Sequence, residues 1–234
     1  MSDDWKRYDA AQVRRDFDRI SALPSHESDG NAPYHRYLLR QLPARFNRAL
    51  DVGCGTGTFA CLLADRAARV DAIDLSPGMI RVARRNAEGR SNVRFEVADL
   101  LESPLEADRY EVIATLATLH HVPLEPALRR LAAALAPEGT LLVLDLLDTT
   151  GLSELPRNGV AWLVLRAKRL AQGRPIVPAD AERAWNEHGR RDRYDSWREI
   201  VRTYRRVLPG SRLKRHLLWR YSAVWRKPSL ISAA

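Results

Sequence analysis

Residues 50–58 read L-D-V-G-C-G-T-G-T and place three glycines at alternate positions between an apolar run and a helical pattern. Glycine adopts positive φ without steric cost and lets the backbone approach a ligand closely. A loop of this shape before a helix directs backbone N–H groups at an anionic or polar ligand. The dinucleotide pattern G-x-G-x-x-G is broken, because Thr58 stands where its third glycine belongs. The stretch therefore predicts a ligand-binding strand–loop–helix unit and disfavours a nicotinamide dinucleotide as the ligand.

Short apolar runs alternate with helical patterns after this loop. The predicted strands cover residues 49–52, 70–74, 93–98, 110–116 and 140–144. The predicted helices cover 58–68 and 76–85, and a third runs from Leu124 to Leu135, before a turn at 137–139. Ser76-Pro77 is typical of a helix start, with serine as N-cap and proline at the first helical position. This alternation predicts an α/β fold with parallel strands covered by helices.

The rest of the chain adds segments to this core, which we place at residues 46–147. Residues 1–45 are predicted to form a helical cover, with helices over 1–24 and 33–42. Residues 148–192 break the alternation with three prolines and a helical segment over 160–170, which indicates an inserted lid. Residues 193–234 contain a capping box, Ser196 to Glu199, and then alternating apolar residues over 212–227. The alternation predicts two antiparallel strands that complete a single domain.

Composition limits the class of protein. The chain has 234 residues and 45% hydrophobic content, and no apolar run is long enough for a transmembrane helix. The first residues are polar and lack the apolar core of a signal peptide. Cys54 and Cys61 give neither a disulfide framework nor metal-ligand spacing. We therefore expect a cytoplasmic protein without membrane insertion and without a metal site.

The formal net charge of +9 raises the question of a nucleic-acid partner. However, only four of the 38 basic residues are lysine, and an excess of arginine together with alanine is what a GC-rich coding sequence produces. The charge is also spread along the chain, although it is densest over 190–227. Nucleic acid is therefore disfavoured as the partner.

The pattern D-x-G-x-G-x-G at 51–57 resembles motif I of class I S-adenosylmethionine (SAM) methyltransferases. Asp74 at the end of the second strand and Asp99 after the third agree with that family, in which the first binds ribose hydroxyls and the second the adenine amino group. The resemblance covers residues 46–146 closely and the rest more loosely. It implies a Rossmann-like, doubly wound, mostly parallel sheet of seven strands with an antiparallel last strand.

The resemblance implies SAM as cofactor and S-adenosylhomocysteine (SAH) as product. The cofactor-binding residues that it implies are Asp51, Gly53, Cys54, Gly55, Thr56, Gly57, Asp74, Leu75, Met79, Ala98, Asp99, Leu100, Thr115 and Leu116. Simpler roles stay open for the three acids: Asp51 could orient the loop, Asp74 could only cap a helix, and Asp99 could be a turn residue.

The residues after the fourth strand bear on the substrate. Residues 118–122 read T-L-H-H-V and lack the Asn/Asp-Pro-Pro-aromatic motif of enzymes that methylate base amines. They are similar to the small-molecule methyltransferases of the ubiquinone and menaquinone group, which implies methyl transfer to O, N or C of a small organic molecule. His120 and His121 are the catalytic candidates, because histidine titrates near neutral pH and could take a proton from the acceptor. Either ring could instead only shape the loop.

Residues outside the core are candidates for binding this small-molecule substrate. They are His26, Tyr34 and His35 in the N-terminal cover, Trp162 in the predicted lid, and Arg220 and Tyr221 beside the joint of the last two strands. Each has an alternative role in packing or on the surface, and the helix that contains Trp162 could also lie on a membrane. Three other functions stay open: an RNA methyltransferase, a SAM-binding partner without catalysis, and a nicotinamide dehydrogenase. The sequence leaves the acceptor and the oligomeric state undetermined.

Overall fold

A seven-stranded sheet organises the chain in the computed structural model, which describes residues 8–23, 30–151, 154–172 and 178–229. The sheet order is β3-β2-β1-β4-β5-β7-β6. Strand β7 runs antiparallel to both of its neighbours, and the other pairings are parallel. The strands are β1 (Phe46–Val52), β2 (Ala67–Asp74), β3 (Val93–Val97), β4 (Tyr110–Leu116), β5 (Leu135–Leu146), β6 (Arg212–Arg215) and β7 (Arg220–Arg226). The predicted fold class, with seven strands and a reversed strand at the C-terminal end, is confirmed.

Eight α-helices in the described residues accompany the sheet, together with a short 3-10 helix at Leu119–His121. The helices are α1 (Ala10–Ser21), α2 (Ala32–Leu39), α3 (Thr58–Ala64), α4 (Pro77–Asn86), α5 (Leu124–Ala134), α6 (Leu155–Gln172), α7 (Ala179–Gly189) and α8 (Trp197–Val207). The predicted caps are present: the Ser76 hydroxyl accepts a hydrogen bond from Met79 N, and Ser196 with Glu199 forms the capping box of α8. No helix in the described ranges combines the length and apolar character needed to cross a bilayer.

Alternate residues of each strand enter two separate hydrophobic cores. Ala49 and Leu142 pack on the face that carries α2, α3 and α4, whereas Leu50 and Leu141 pack on the face of α5 and α8. This alternation follows from the period of two in a β-strand, in which successive side chains point to opposite faces. Because helices cover both faces of the sheet, most side chains of the central strands are apolar on both faces.

Several predicted boundaries are wrong because strand pairing overrides local pattern. The helix expected over 58–68 ends at Ala64, since β2 already begins at Ala67, which pairs with Phe46. Leu135 belongs to β5 rather than to the preceding helix, and it pairs with Tyr110. The turn expected at 137–139 lies inside β5 as an irregularity, where Glu138 has φ +62°.

Helices α1 and α7 pack together beside α4, at the edge where the parallel strands end. Ile20 of α1, Met79 of α4 and Ala184 of α7 form a small buried cluster. The Asp18 carboxylate fixes α1 to the start of α4, because Oδ1 accepts hydrogen bonds from the Ser76 hydroxyl at 2.6 Å and from Gly78 N at 2.9 Å. These contacts hold two helices from outside the core over the carboxyl ends of β1, β2 and β4.

Candidate active site

A cavity of about 560 Å³ lies between the carboxyl ends of β1, β2 and β4 and the helices α1 and α7. Open α/β sheets bind ligands at this edge, at the point where the strand order reverses. The reversal lies between β1 and β4 in this sheet. The sheet topology and the cavity therefore point to one functional site.

The glycine loop forms one wall of the cavity and is tightly packed from behind. Gly53, Gly55 and Gly57 have φ of +67°, +52° and +79°. Gly53 N and Cys54 N both donate to the carbonyl of Ile73, at 2.8 and 3.0 Å. A Cβ added at Gly53 would lie 2.1 Å from the Thr118 hydroxyl oxygen, an impossible contact. Glycine is therefore required at position 53 for both conformation and space.

The Asp74 carboxylate closes this loop from the end of β2. Its Oδ2 accepts from Gly55 N at 2.9 Å and its Oδ1 accepts from Ser76 N at 2.9 Å. Burial raises the pKa of Asp74, and the two N–H donors partly oppose this rise. Each oxygen keeps a lone pair for a further donor, and Asp74 lines the cavity.

Most of the expected cofactor-binding residues line the cavity together. These are Asp51, Gly53, Cys54, Gly55, Thr56, Asp74, Leu75, Met79, Ala98, Leu100 and Leu116. Gly57 lies behind the loop, where an added Cβ would meet Ala83 and Phe95 at 3.0 Å. Thr115 is buried within β4 and Asp99 lies outside the lining, so the structure does not bring these three to the cavity surface.

The Asp99 carboxylate is used within the protein. Its Oδ1 accepts from Leu101 N at 2.7 Å and its Oδ2 accepts from the Tyr8 hydroxyl at 2.8 Å. Burial and this carboxylate raise the pKa of Tyr8. Ala98 and Leu100 face the cavity on either side of Asp99, as does Tyr8. Asp99 thus holds Tyr8 at the cavity wall, and its expected contact with the adenine amino group stays a prediction.

Three histidines and three carboxylates form a cluster on the wall beyond the glycine loop. The backbone N–H of His120 donates to Asp145 Oδ2 at 2.9 Å, and His120 Nδ1 lies 2.6 Å from Asp145 Oδ1. Asp145 projects from β5 and is only 1% exposed. This double contact fixes the His120 ring against the sheet and leaves Nε2 on the opposite side.

Asp192 lies among the three imidazole rings. Its carboxylate oxygens are 3.8 Å from His120 Nε2, 3.4 Å from His121 Nδ1 and 3.6 Å from His188 Nε2. His188 belongs to α7, and its Nδ1 lies 3.3 Å from Asp16 Oδ2 on α1. Asp192 and the three histidines around it all line the cavity.

The electrostatic environment differs sharply between the two adjacent histidines. Burial disfavours protonation of His120, but the charge of Asp145 and its hydrogen bond outweigh burial and raise the pKa of His120. Burial and the neighbouring His120 lower the pKa of His121 to about 4. Burial opposes ionisation of Asp192, yet the hydrogen bond and charge of His121 lower its pKa overall. At neutral pH, therefore, His121 is uncharged and Asp192 is ionised.

The substrate-binding candidates divide into two groups. His35 and Arg220 line the cavity. Tyr34 does not line it and instead lies beneath the Arg220 guanidinium, 5.7 Å from ring to Cζ. Tyr221 is buried in the core against Tyr204, and Trp162 is 57% exposed beside Arg166, so neither lies at the site. His26 falls outside the described residues.

The sequence did not predict a set of cavity residues from the cover, the predicted lid and the segment that follows it. They are Tyr8, Phe17, Trp185, His188, Asp192 and Tyr194. Tyr8 and Phe17 fall within the helix predicted over 1–24, which does not by itself show what these side chains face. His188 pairs with Asp16, which lies 172 positions away in the sequence. No local sequence pattern predicts this contact.

The donor set of the cavity fits SAM. The tightly packed glycine loop and the Asp74 acceptor suit a ribose, and Leu75, Met79, Ala98 and Leu100 supply apolar surface for a flat ring. The residues present can therefore hold this cofactor.

Comparisons with known proteins agree with this geometry. A methyltransferase domain family model matches residues 49–139. The "uncharacterized methyltransferase Rv0089" of Mycobacterium tuberculosis is 27% identical over 208 residues, which cover 86% of this chain and 97% of the relative. A ubiquinone biosynthesis O-methyltransferase of Coxiella burnetii is 32% identical over 109 residues, 45% of this chain and 46% of the relative.

Solved structures share the fold. The N-methyltransferase NodS of Bradyrhizobium japonicum, in complex with SAH, aligns with a TM-score of 0.64 and 17% identity over 93% of this chain and 99% of NodS. A phosphoethanolamine N-methyltransferase of Haemonchus contortus, in complex with SAM, aligns with a TM-score of 0.58 and 17% identity over 86% of this chain and 54% of that chain.

Proposed function

Because this chain is a class I SAM-dependent methyltransferase, we propose that it methylates a small organic molecule bound in the cavity beside its glycine loop. The observation that carries this proposal is the enclosure of the site. The cavity of about 560 Å³ is covered by α1 and α7 and lined by Phe17 and Trp185. That volume falls within the roughly 300–1,000 Å³ of pockets that enclose small molecules.

The protein's contribution to methyl transfer is mainly positioning. SAM supplies an electrophilic methyl group bonded to a sulfonium, and SAH is the leaving group. The glycine loop and Asp74 hold the nucleoside, while Leu116 and Ala117 border the same space after β4. Alignment of two reactants in a closed site can contribute about 7–11 kcal/mol to lowering a barrier. Cover by α1 and α7 limits the access of water, which would otherwise compete as the acceptor.

The acceptor wall combines polar and apolar groups. His120, His121 and Asp192 present polar atoms, and Phe17 and Trp185 present aromatic surface. Arg220 adds a guanidinium that hydrogen-bonds Asn31 and the carbonyl of Leu218. We therefore assign to the acceptor an apolar body and a polar atom that carries the reacting position.

An RNA acceptor fits the site less well. A base in a folded RNA would have to enter between α1 and α7, which are joined by His188 to Asp16. Arg191, just after α7, also donates to Asp16 at 2.9 Å. The formal charge of +9 is the observation in favour of RNA. Binding that depends on such charge weakens steeply with salt, so the two acceptors are separable by experiment.

Transfer of a labelled methyl group tests the proposal. The full chain is incubated with methyl-labelled SAM and either the low-molecular-weight fraction or the RNA fraction of a cell extract. We expect label in a product of small mass from the first fraction alone. Label in nucleosides, or no transfer with either fraction while SAH still binds, would overturn the small-molecule assignment.

A further inference from the structure

We propose that His120, His121 and Asp192 bind a divalent transition-metal ion at the acceptor wall of the cavity. The sequence predicted no metal site, because Asp192 is distant along the chain from the two adjacent histidines. One nitrogen or oxygen from each of His120, His121 and Asp192 lies within 4.8 Å of the others. The side chains of these three residues, and of the neighbouring His188, are at most 8% exposed.

Carboxylates hold two of the rings from behind. His120 Nδ1 contacts Asp145 at 2.6 Å, and His188 Nδ1 lies 3.3 Å from Asp16. Histidines that ligate metals almost always donate their other ring N–H to a carboxylate, a carbonyl or water. The His120 ring therefore has the outer partner that a ligating histidine requires, and both rings direct Nε2 at Asp192.

The inward atoms of His120, His188 and Asp192 are acceptors. An ionised carboxylate only accepts, so a neutral His120 ring that donates Nδ1–H to Asp145 has a lone pair on Nε2. The same holds for His188 and Asp16. Those two Nε2 atoms face Asp192 Oδ2, at 3.8 and 3.6 Å. Lone pairs directed at a carboxylate repel one another, and a cation between them turns the repulsion into coordination.

The separations suit ligands around a single ion. Metal–ligand bonds of about 2.0–2.1 Å in a tetrahedron place neighbouring ligand atoms about 3.4 Å apart. Asp192 lies 3.4 Å from His121 Nδ1 and 3.8 Å from His120 Nε2. Three protein ligands leave one position of a tetrahedral ion open for a further donor.

The charges of the cluster also favour a bound cation. Asp16, Asp145 and Asp192 place three carboxylates around the rings, and Arg191 pairs with Asp16. Three carboxylates beside one ion-paired arginine favour the binding of a divalent cation. Imidazole with one carboxylate favours Zn²⁺, Co²⁺, Ni²⁺ or Fe²⁺ over Mg²⁺ and Ca²⁺, which prefer oxygen ligands.

Such an ion would select among acceptors. It would lie on the wall that the proposed function assigns to the acceptor, and this step of the argument rests on that function. Acceptors with an oxygen donor, such as a hydroxyl or carboxylate, would then be favoured. His120 and His121 would act as ligands rather than as the proton acceptors expected from the sequence.

Cobalt binding tests the site. The full chain is dialysed against a chelator and titrated with Co²⁺, whose visible absorption reports nitrogen ligands. We expect one equivalent to bind, Zn²⁺ to displace it and Mg²⁺ to leave it in place. Asp192→Asn and His121→Gln should lose the absorption. Asp145→Asn, which removes an outer partner, should weaken binding about 10–100-fold.

His216→Gln is the matched control, because His216 is outside the cavity lining and hydrogen-bonds Ser222. It should bind Co²⁺ as the wild type does. Wild-type protein without the absorption would overturn the proposal even if the variants fail to fold, as would wild-type affinity in Asp192→Asn and His121→Gln. SAH titration of the wild type separates the metal site from the proposed function. If SAH binds and cobalt does not, only the metal site is rejected.

Discussion

At the scale of single residues, the site depends on a few positions with no freedom to vary. Gly53 combines positive φ with a neighbour that leaves no room for a Cβ. Gly89 has a similar φ of +85° but open space around it. Substitutions at the two glycines therefore separate the cost of a left-handed backbone from the cost of steric overlap.

We predict that Gly53→Ala destabilises the protein more than Gly89→Ala and removes SAH binding. A left-handed conformation costs a non-glycine residue about 1–2 kcal/mol, which both variants bear. Overpacking adds about 1–3 kcal/mol at Gly53 alone, because the new methyl group would overlap Thr118. Urea unfolding and SAH titration measure both effects. Equal loss of stability in the two variants would contradict this account of the loop.

His216 gives a prediction about pH. Burial and the charges of Lys214, Arg157 and Arg220 lower its pKa from 6.5 to about 4. The unfolded chain therefore binds more protons at this residue between those values, and stability falls as pH decreases through that window. His216→Gln should flatten the dependence of the urea midpoint on pH between 7 and 5. An unchanged slope would show that His216 is not held neutral.

At the scale of elements, local signals predicted starts better than ends. The caps at Ser76 and Ser196 were correctly located, because a side chain that accepts from a backbone N–H three residues later acts within one turn. The ends of α3 and α5 were not, because β2 and β5 begin where pairing with Phe46 and Tyr110 dictates. A strand partner that is distant in sequence cannot be predicted from the local sequence pattern.

The capping box of α8 is testable alone. Ser196→Ala removes the hydroxyl that accepts from Glu199 N, and loss of such a cap costs about 0.5–2 kcal/mol. Ser91→Ala, at an exposed turn position, should change the free energy of unfolding much less. Denaturant titration of both variants is the measurement, and equal values would argue that the box contributes nothing.

Contact between α1 and α7 should control opening of the cavity. The Phe17 ring packs edge-on against His188 and Trp185, with centroids 4.8 and 6.2 Å away. Phe17→Ala should accelerate amide hydrogen exchange across α7 while leaving α5 unchanged, because α5 packs on the other side of the sheet. Leu170→Ala, at an 80% exposed position of α6, is the control. Unchanged exchange in α7 would show that Phe17 does not hold the cover.

At the scale of the whole molecule, the sheet brings distant residues to one edge. Parallel strands all end on the same side, so the glycine loop, Asp74 and the residues after β4 meet there, as the sequence predicted. The sequence could not predict the far wall, because α1, α7 and the loop with Asp192 reach it through tertiary contacts. This is why most residues expected around the cofactor line the cavity, whereas several residues that form its far wall were not expected.

Calorimetric titration of the full chain with SAH tests most directly whether this edge binds the sulfonium cofactor. We expect one-to-one binding by the wild type and by Asp65→Asn, whose carboxylate is exposed on α3's C-terminal side. Asp74→Asn should bind about 10- to 150-fold more weakly, since loss of a charged hydrogen-bond partner costs about 1.5–3 kcal/mol. Heat with NAD and none with SAH, or equal affinity in Asp74→Asn and wild type, would contradict the account.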